Sequence, residues 1–254
     1  MTSRSVVFLL LFLPSLFACN RHKNDCEIVV PSPDMKYHVY FNLNEGEPWY
    51  LFFLEKDIVI DWSLLGVEFT DHTKFSQGLN VVRTYARSVS SEDEILFAQG
   101  SILRSPFNEM VVELKKPENP GIVFKIILRA YNMGFAIGYE FEPISKTPAI
   151  LEENTEINFY SKSTTWEAIM QDTTGTPVTT SLNENFPVPC VFQSDKGFRV
   201  EVNQPAEDDH TKTGLIRNNQ MNYSYKYLIN QKSRELDAKT LTRVPFKIFL
   251  VSKN

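Results

Sequence analysis

After Pro33, apolar and polar residues alternate along much of the chain, and short apolar runs are broken by turn residues. A period of two sets one face of a strand against a core and the other toward water. Residues 37–41 alternate in this way, as do 49–54, and Lys56-Asp57 separates that run from Ile58-Val59-Ile60. Residues 108–114 place Met110, Val112 and Leu114 on one side. Pro120-Gly121 reads as a turn opening a strand over 122–128, and Asn132-Met133-Gly134 as the turn into 135–141. Ser194-Asp195-Lys196-Gly197 has hairpin chemistry between runs at 189–192 and 198–202. Tyr223, Tyr225 and Tyr227 share one strand face, most simply a core face, and 245–251 forms a last strand.

No segment keeps a 3.6-residue apolar stripe. Many short strands, spaced by roughly 8–12 residues, predict an all-β fold: a large two-sheet antiparallel β-sandwich over residues 28–254. Two tandem smaller sandwiches, joined near residues 143–148, are the alternative.

The first residues differ in kind. Arg4 precedes an unbroken apolar run at 6–13, and Pro14 leads into Ser15-Leu16-Phe17-Ala18-Cys19. One cation, a short apolar core and small residues after a helix breaker form a secretory signal, too short to span a bilayer. Leu16-Phe17-Ala18-Cys19 resembles a bacterial lipobox, so residues 1–18 are expected to be removed and Cys19 to be acylated, with 19–27 as a tether. Plain cleavage near Ala18 is the alternative. Export to a periplasm or cell envelope makes disulfides accessible. Cys26 and Cys190 then either pair, closing a loop of about 160 residues that would contribute a few kcal/mol, or stay as two buried thiols.

Composition mostly excludes. The chain has 254 residues, 43% of them hydrophobic, and a formal charge of only −5, which rules out disorder and a basic nucleic-acid face. Four histidines and three cysteines are too few and too dispersed for a zinc or iron–sulfur framework. Glu152, Glu153 and Glu156 form one acidic cluster and Asp208-Asp209-His210 another. Both flank proline-containing turns and read as solvated loops. His38, His72 and His210 have no partner at metal spacing, and no Gly-x-Ser-x-Gly, phosphate loop or dinucleotide fingerprint occurs. Sugar binding is better motivated, since aromatic faces stack on pyranose rings while amides and carboxylates take the hydroxyls. Of the tryptophans, Trp49 and Trp62 read as core or strand-edge residues, whereas Trp166, among Ser163, Thr164 and Thr165, is expected to be exposed.

Several segments, in order, resemble the N-terminal domain of glycoside hydrolase family 97. Ser32-Pro33-Asp34-Met35-Lys36 resembles the family's "SPDGK", and Ser63-Leu64-Leu65-Gly66-Val67-Glu68-Phe69 its "SPLGLEF". Arg129-Ala130-Tyr131-Asn132-Met133-Gly134-Phe135-Ala136-Ile137-Gly138-Tyr139 is similar to "RAYDDGVAFRY". Glu156-Ile157-Asn158-Phe159 and Pro245-Phe246-Lys247-Ile248 follow in the family's order. The resemblance implies a galactose-mutarotase-like sandwich, which in the full α-glucosidases and α-galactosidases packs against a catalytic (β/α)₈ barrel. It sets Trp166-Glu167 where the family has a Tyr-Glu pair, making these two the candidate carbohydrate-binding residues. It also sets Gln204 at a glutamate that helps bind calcium in the family. An amide brings no charge, so calcium is doubtful here and no cofactor is expected.

The chain ends four residues after Leu250, about where the family chain leaves the sandwich, and a barrel needs roughly 250 residues more. The expectation is a non-catalytic, exported carbohydrate-binding or accessory domain for α-glucosides or α-galactosides, touching a membrane only through its lipid. The alternatives are a truncated remnant, a half that docks a separately encoded barrel, and a surface interaction module without a sugar ligand.

Overall fold

The structure, a computed structural model, describes residues 18–19, 26–90, 94–97, 102–141, 150–171, 177–180, 186–205, 213–218, 223–229 and 243–254. The strands, in chain order, begin with β1 (Ala18–Cys19), β2 (Cys26–Pro31), β3 (Tyr37–Asn44), β4 (Glu47–Leu54), β5 (Asp57–Leu64) and β6 (Val67–Phe69). Next come β7 (Asn80–Val89), β8 (Glu94–Leu96), β9 (Ile102–Arg104), β10 (Phe107–Lys116), β11 (Asn119–Tyr131) and β12 (Gly134–Phe141). Then follow β13 (Ile150–Glu153), β14 (Glu156–Phe159), β15 (Trp166–Gln171), β16 (Pro177–Thr180) and β17 (Phe186–Pro187). The last five are β18 (Cys190–Ser194), β19 (Phe198–Asn203), β20 (Thr213–Arg217), β21 (Ser224–Ile229) and β22 (Arg243–Lys253). Among the described residues, no helix is long and apolar enough to cross a membrane.

Two nine-stranded sheets face each other. The first runs β1-β2-β3-β4-β5-β14-β21-β20-β17 and the second β16-β15-β18-β19-β22-β12-β11-β10-β7. Strands from before and after residues 143–148 share both sheets, so the body is one sandwich rather than two in tandem. The alternation read from the sequence sets its core. Val39, Phe41, Tyr50, Phe52, Ile157 and Tyr225 point inward from one sheet, and Met110, Val112, Leu114, Phe124, Phe135 and Val200 from the other. Phe135 stacks between Phe52 and Phe249, with ring centroids 4.3 Å away on each side. Each fully buried Phe is worth about 1.5–3 kcal/mol by area.

Local differences from the sequence pattern have simple causes. The turn before β11 falls at Pro117-Glu118, not at Pro120-Gly121, which lie inside the strand. Residues 26 and 27 already belong to β2, so the tether expected over 19–27 ends earlier. Met35 takes φ 63°, a left-handed turn position at which the resembling "SPDGK" has a glycine. Gly134 (φ +148°) opens β12 with no room for a side chain, since a Cβ there would stand 1.8 Å from the Phe249 carbonyl oxygen. This close approach seats β12 on β22. β22 in turn lies between β12 and β19, so the last strand of the sequence joins the two halves of the second sheet.

Candidate functional site

The structure reverses the expected ranking of the tryptophans. Trp166 is 4% exposed. Its indole N–H donates to the Tyr160 carbonyl at 2.9 Å, and its ring packs on Phe159 with centroids 4.5 Å apart. It has no face for a sugar, and Glu167 alone of that pair is exposed. The Ser163–Thr165 neighbourhood is polar, but alternation along β15 turns Trp166 inward with Ala168. Trp62, read from sequence as core or edge, is 38% exposed. The cause is a β-bulge. Tyr50 pairs with Ser63 and Phe52 with Ile60, so Asp61 and Trp62 together oppose Leu51. Two residues against one shift the parity of the strand and turn Trp62 outward.

The strand end carrying the family's calcium position is closed. Asn203 is fully buried and Gln204 nearly so. Pro205 makes a backbone bridge to Phe97, next to the β8–β9 hairpin. Phe97, Leu103, Phe107, Tyr131, Ala136 and Ile248 form a second small core on that side. Asn203 Nδ2 donates to Glu201 Oε1 at 3.0 Å. Among the described residues, no group of three or more His, Cys, Asp or Glu side chains could hold a metal ion. With a neutral amide at Gln204, these residues do not fit calcium, which favours several carboxylate oxygens.

Among the described residues, the buried charges each have an ion partner. Glu153, expected in a solvated loop, is fully buried and forms an ion pair with Lys247, itself 3% exposed. Thr155 Oγ1 donates to Glu153 Oε1 at 2.6 Å and lies 2.5 Å from the Tyr139 hydroxyl. Burial and the Glu153 charge push the Tyr139 phenol well above its ordinary range. This acid and base lie sealed between the sheets, beyond reach of a substrate. On the outer face of the second sheet, Arg87, Glu109 and Arg129 form one cross-strand row and Arg83, Glu113 and Lys125 another. Arg87 Nε and Arg129 Nε lie 2.5 and 2.7 Å from the Glu109 oxygens, and Arg83 donates twice to Glu113, at 2.6 and 2.9 Å. The Arg129 guanidinium also sits 4.7 Å above the Phe107 ring and 4.3 Å above the Phe246 ring. Burial acts to raise the Glu109 carboxyl, but the hydrogen bonds from Arg87 and Arg129 outweigh it and hold it below the usual range. For Glu113 the Arg83 hydrogen bond has the same result against burial.

Cys26 is disulfide-bonded and Cys190 is a free, buried thiol. The Cys26–Cys190 pairing is therefore not formed. Cys190 opens β18 in the second sheet, whereas Cys26 opens β2 in the first and stands opposite Cys19 in the β1–β2 register. Burial pushes the Cys190 thiol up, away from the reactive thiolate. His38 is half-buried in β3. His72 sits on a turn with its Nδ1 3.0 Å from Glu68 Oε1. Asp208, Asp209 and His210 lie outside the described residues.

Residues 30–254 match the family model described as Glycosyl-hydrolase 97 N-terminal. A search of curated proteins gives no match. Among solved structures, the chain is similar to a glycoside hydrolase family 97 enzyme from Pseudoalteromonas sp. strain K8, in complexes with panose and with acarbose. In both, the TM-score is 0.71 at 19% identity, covering 89% of this chain and 35% of that one. A β-arabinopyranosidase follows with TM-score 0.63 and 16% identity, covering 89% of this chain and 40% of that one. The chain thus spans about a third of the length of the first solved structures it matches.

Proposed function

The chain belongs to the glycosyl-hydrolase 97 N-terminal family, and from that premise we propose that it is a non-catalytic carbohydrate-binding accessory domain. The family match over 30–254 carries the reading, taken with relatives of the same sandwich whose structures hold oligosaccharides. The ligand class is an α-glucoside or α-galactoside. Three of the buried carboxylates are committed to the fold: Glu153 is sealed with Lys247, and Glu109 and Glu113, on the outer face of the second sheet, are held by arginines.

Thermal unfolding with panose, maltotriose and melibiose tests the reading. A ligand at a hundred times its Kd stabilises a single-site protein by about 2.7 kcal/mol, so a rise in Tm with one of these sugars is expected. No rise with any of them overturns the binding reading. Hydrolysis of an aryl α-glucoside or α-galactoside by the purified chain would overturn the non-catalytic part. A second reading, from the family match, is that this sandwich packs against a catalytic barrel. Co-purification of such a barrel, with glycosidase activity appearing only in the complex, distinguishes it.

The reading includes export, and Cys19 has two mutually exclusive fates: an acylated membrane anchor, or a disulfide to Cys26. Cys26 is disulfide-bonded, Cys190 is free, and the chain has three cysteines, which leaves Cys19 as the partner within the chain. A sulfur in that bond cannot also carry a glyceryl thioether. The intact mass of the mature protein decides: added acyl mass supports the anchor, and a start near Cys19 with no added lipid supports a hairpin-closing disulfide.

A further inference from the structure

We infer that the outer face of the first sheet around Trp62 is a platform for a neutral pyranoside, a site that rests on the carbohydrate-binding reading and gives it a location. Four features converge there. The bulge on β5 displays the Trp62 ring on a strand rather than a loop, and no hydrogen-bond acceptor for its indole N–H lies among the described residues. Asn158 on β14 holds that display in place. Its Nδ2 donates to the Trp62 carbonyl at 2.8 Å, and its backbone N–H to Ser63 Oγ at 2.9 Å. Its own Oδ1 is taken by the Ser224 hydroxyl.

In the register, Asp61 and the β14 strand bring polar groups beside Trp62, and Leu51 of β4 lies opposite it. Asp61 accepts the Trp62 backbone N–H through Oδ1 at 2.9 Å. Its second oxygen is unpartnered among the described residues. Glu156 lies two residues along β14 from Asn158. The Asn158 and Asn218 amides approach its two oxygens at 3.4 and 3.3 Å. Each carboxylate oxygen has two acceptor positions, so Glu156 keeps capacity for a further donor. Lys226 stands opposite Glu156 in the register and supplies a donor on the same face.

This set of groups selects the occupant. One exposed indole with carboxylates, an amide and an ammonium around it presents donors and acceptors together, as the hydroxyls of a sugar ring require. Two carboxylates against one lysine disfavour an anionic ligand. The face is also remote in the topology from the Gln204 strand end, which belongs to the other sheet. The site therefore does not depend on the Gln204 position.

The test follows the three indole N–H signals by NMR while panose, and separately maltotriose and melibiose, is added to the full chain. The Trp62 signal, assigned with Trp62→Phe, is expected to shift, and the buried Trp166 signal to stay. Trp62→Ala is expected to weaken binding at least tenfold and Trp62→Phe, which keeps a flat ring, by fivefold or less. Asn218→Ala is expected to weaken it severalfold. Binding by the native chain with an unmoved Trp62 signal and an unchanged affinity in Trp62→Ala overturns the platform while the carbohydrate reading stands. No binding of any of the three sugars by the native chain overturns both.

Discussion

The two outer faces of this sandwich are built from similar residues and treat them differently. On the second sheet, the carboxylates of Glu109 and Glu113 are nearly fully buried and each is gripped by cations from both neighbouring strands. On the first sheet, Asp61 and Glu156 are only partly covered and are bonded by backbone and amide groups that leave acceptor positions open. A charge matched by its own neighbours stabilises the sheet and has little to offer a ligand. A charge held by neutral donors keeps its appetite for hydroxyl groups. Recognition thus belongs on the face where pairing is incomplete, and rigidity on the face where it is complete.

The sharpest way to break this contrast is Arg129→Ala. It removes one clamp from buried Glu109 and two aromatic contacts at once. Loss of a partner from a buried ion pair costs about 3–5 kcal/mol. A fall of about 3 kcal/mol in unfolding free energy is expected by urea titration, and a fall below about 1 would show the row to be dispensable. Acid acts on the same face. Glu109 and Glu113 have depressed folded values, so their contribution is complete above the unfolded value near 4.3 and disappears as pH falls through the lower folded values. Tm should therefore decline below about pH 4.3, and a Glu109→Gln/Glu113→Gln variant should show a shallower decline. An equally steep decline in that variant would place the acid sensitivity elsewhere.

Smaller effects sharpen the comparison from the other side. Asp57 and Lys253 form an exposed pair at 2.6 Å between the two sheets. Such pairs contribute roughly 0–1 kcal/mol, so Asp57→Asn should cost less than 1 kcal/mol and lose its effect in high salt. Trp62→Phe should be the mildest, within about 0.5 kcal/mol of native stability. A larger loss would mean that the indole supports the fold and is not merely displayed by it.

Much of the fold was legible because strand alternation is a local signal. Met110, Val112 and Leu114 do share the core side, and Ser194 to Gly197 does turn β18 into β19. The site was less legible because its determinants are departures from alternation. Nothing local in Asp61-Trp62-Ser63 marks the extra residue that turns Trp62 outward, since the bulge exists only relative to β4. Glu153 looked like one more acid in a cluster, and its burial depends on Lys247, distant in sequence and on the other side of the core. The polar run before Trp166 suggested exposure, yet the ring's environment comes from Phe159 and Phe198 on two other strands.

The placement of β22 carries a consequence for how the protein is made. Strands β7, β10, β11 and β12 form one half of the second sheet and β15, β16, β18 and β19 the other, and β22 is what joins them. While the chain is being synthesised, the facing edges of β12 and β19 therefore wait, unpaired, until residues 243–253 emerge from the ribosome. Such long-range closure is slow and exposes sticky edges in the meantime. A sheet that stays open until residues 243–253 arrive is sealed by one late, long-range step, and the rate of that step governs how long the two halves stay adhesive.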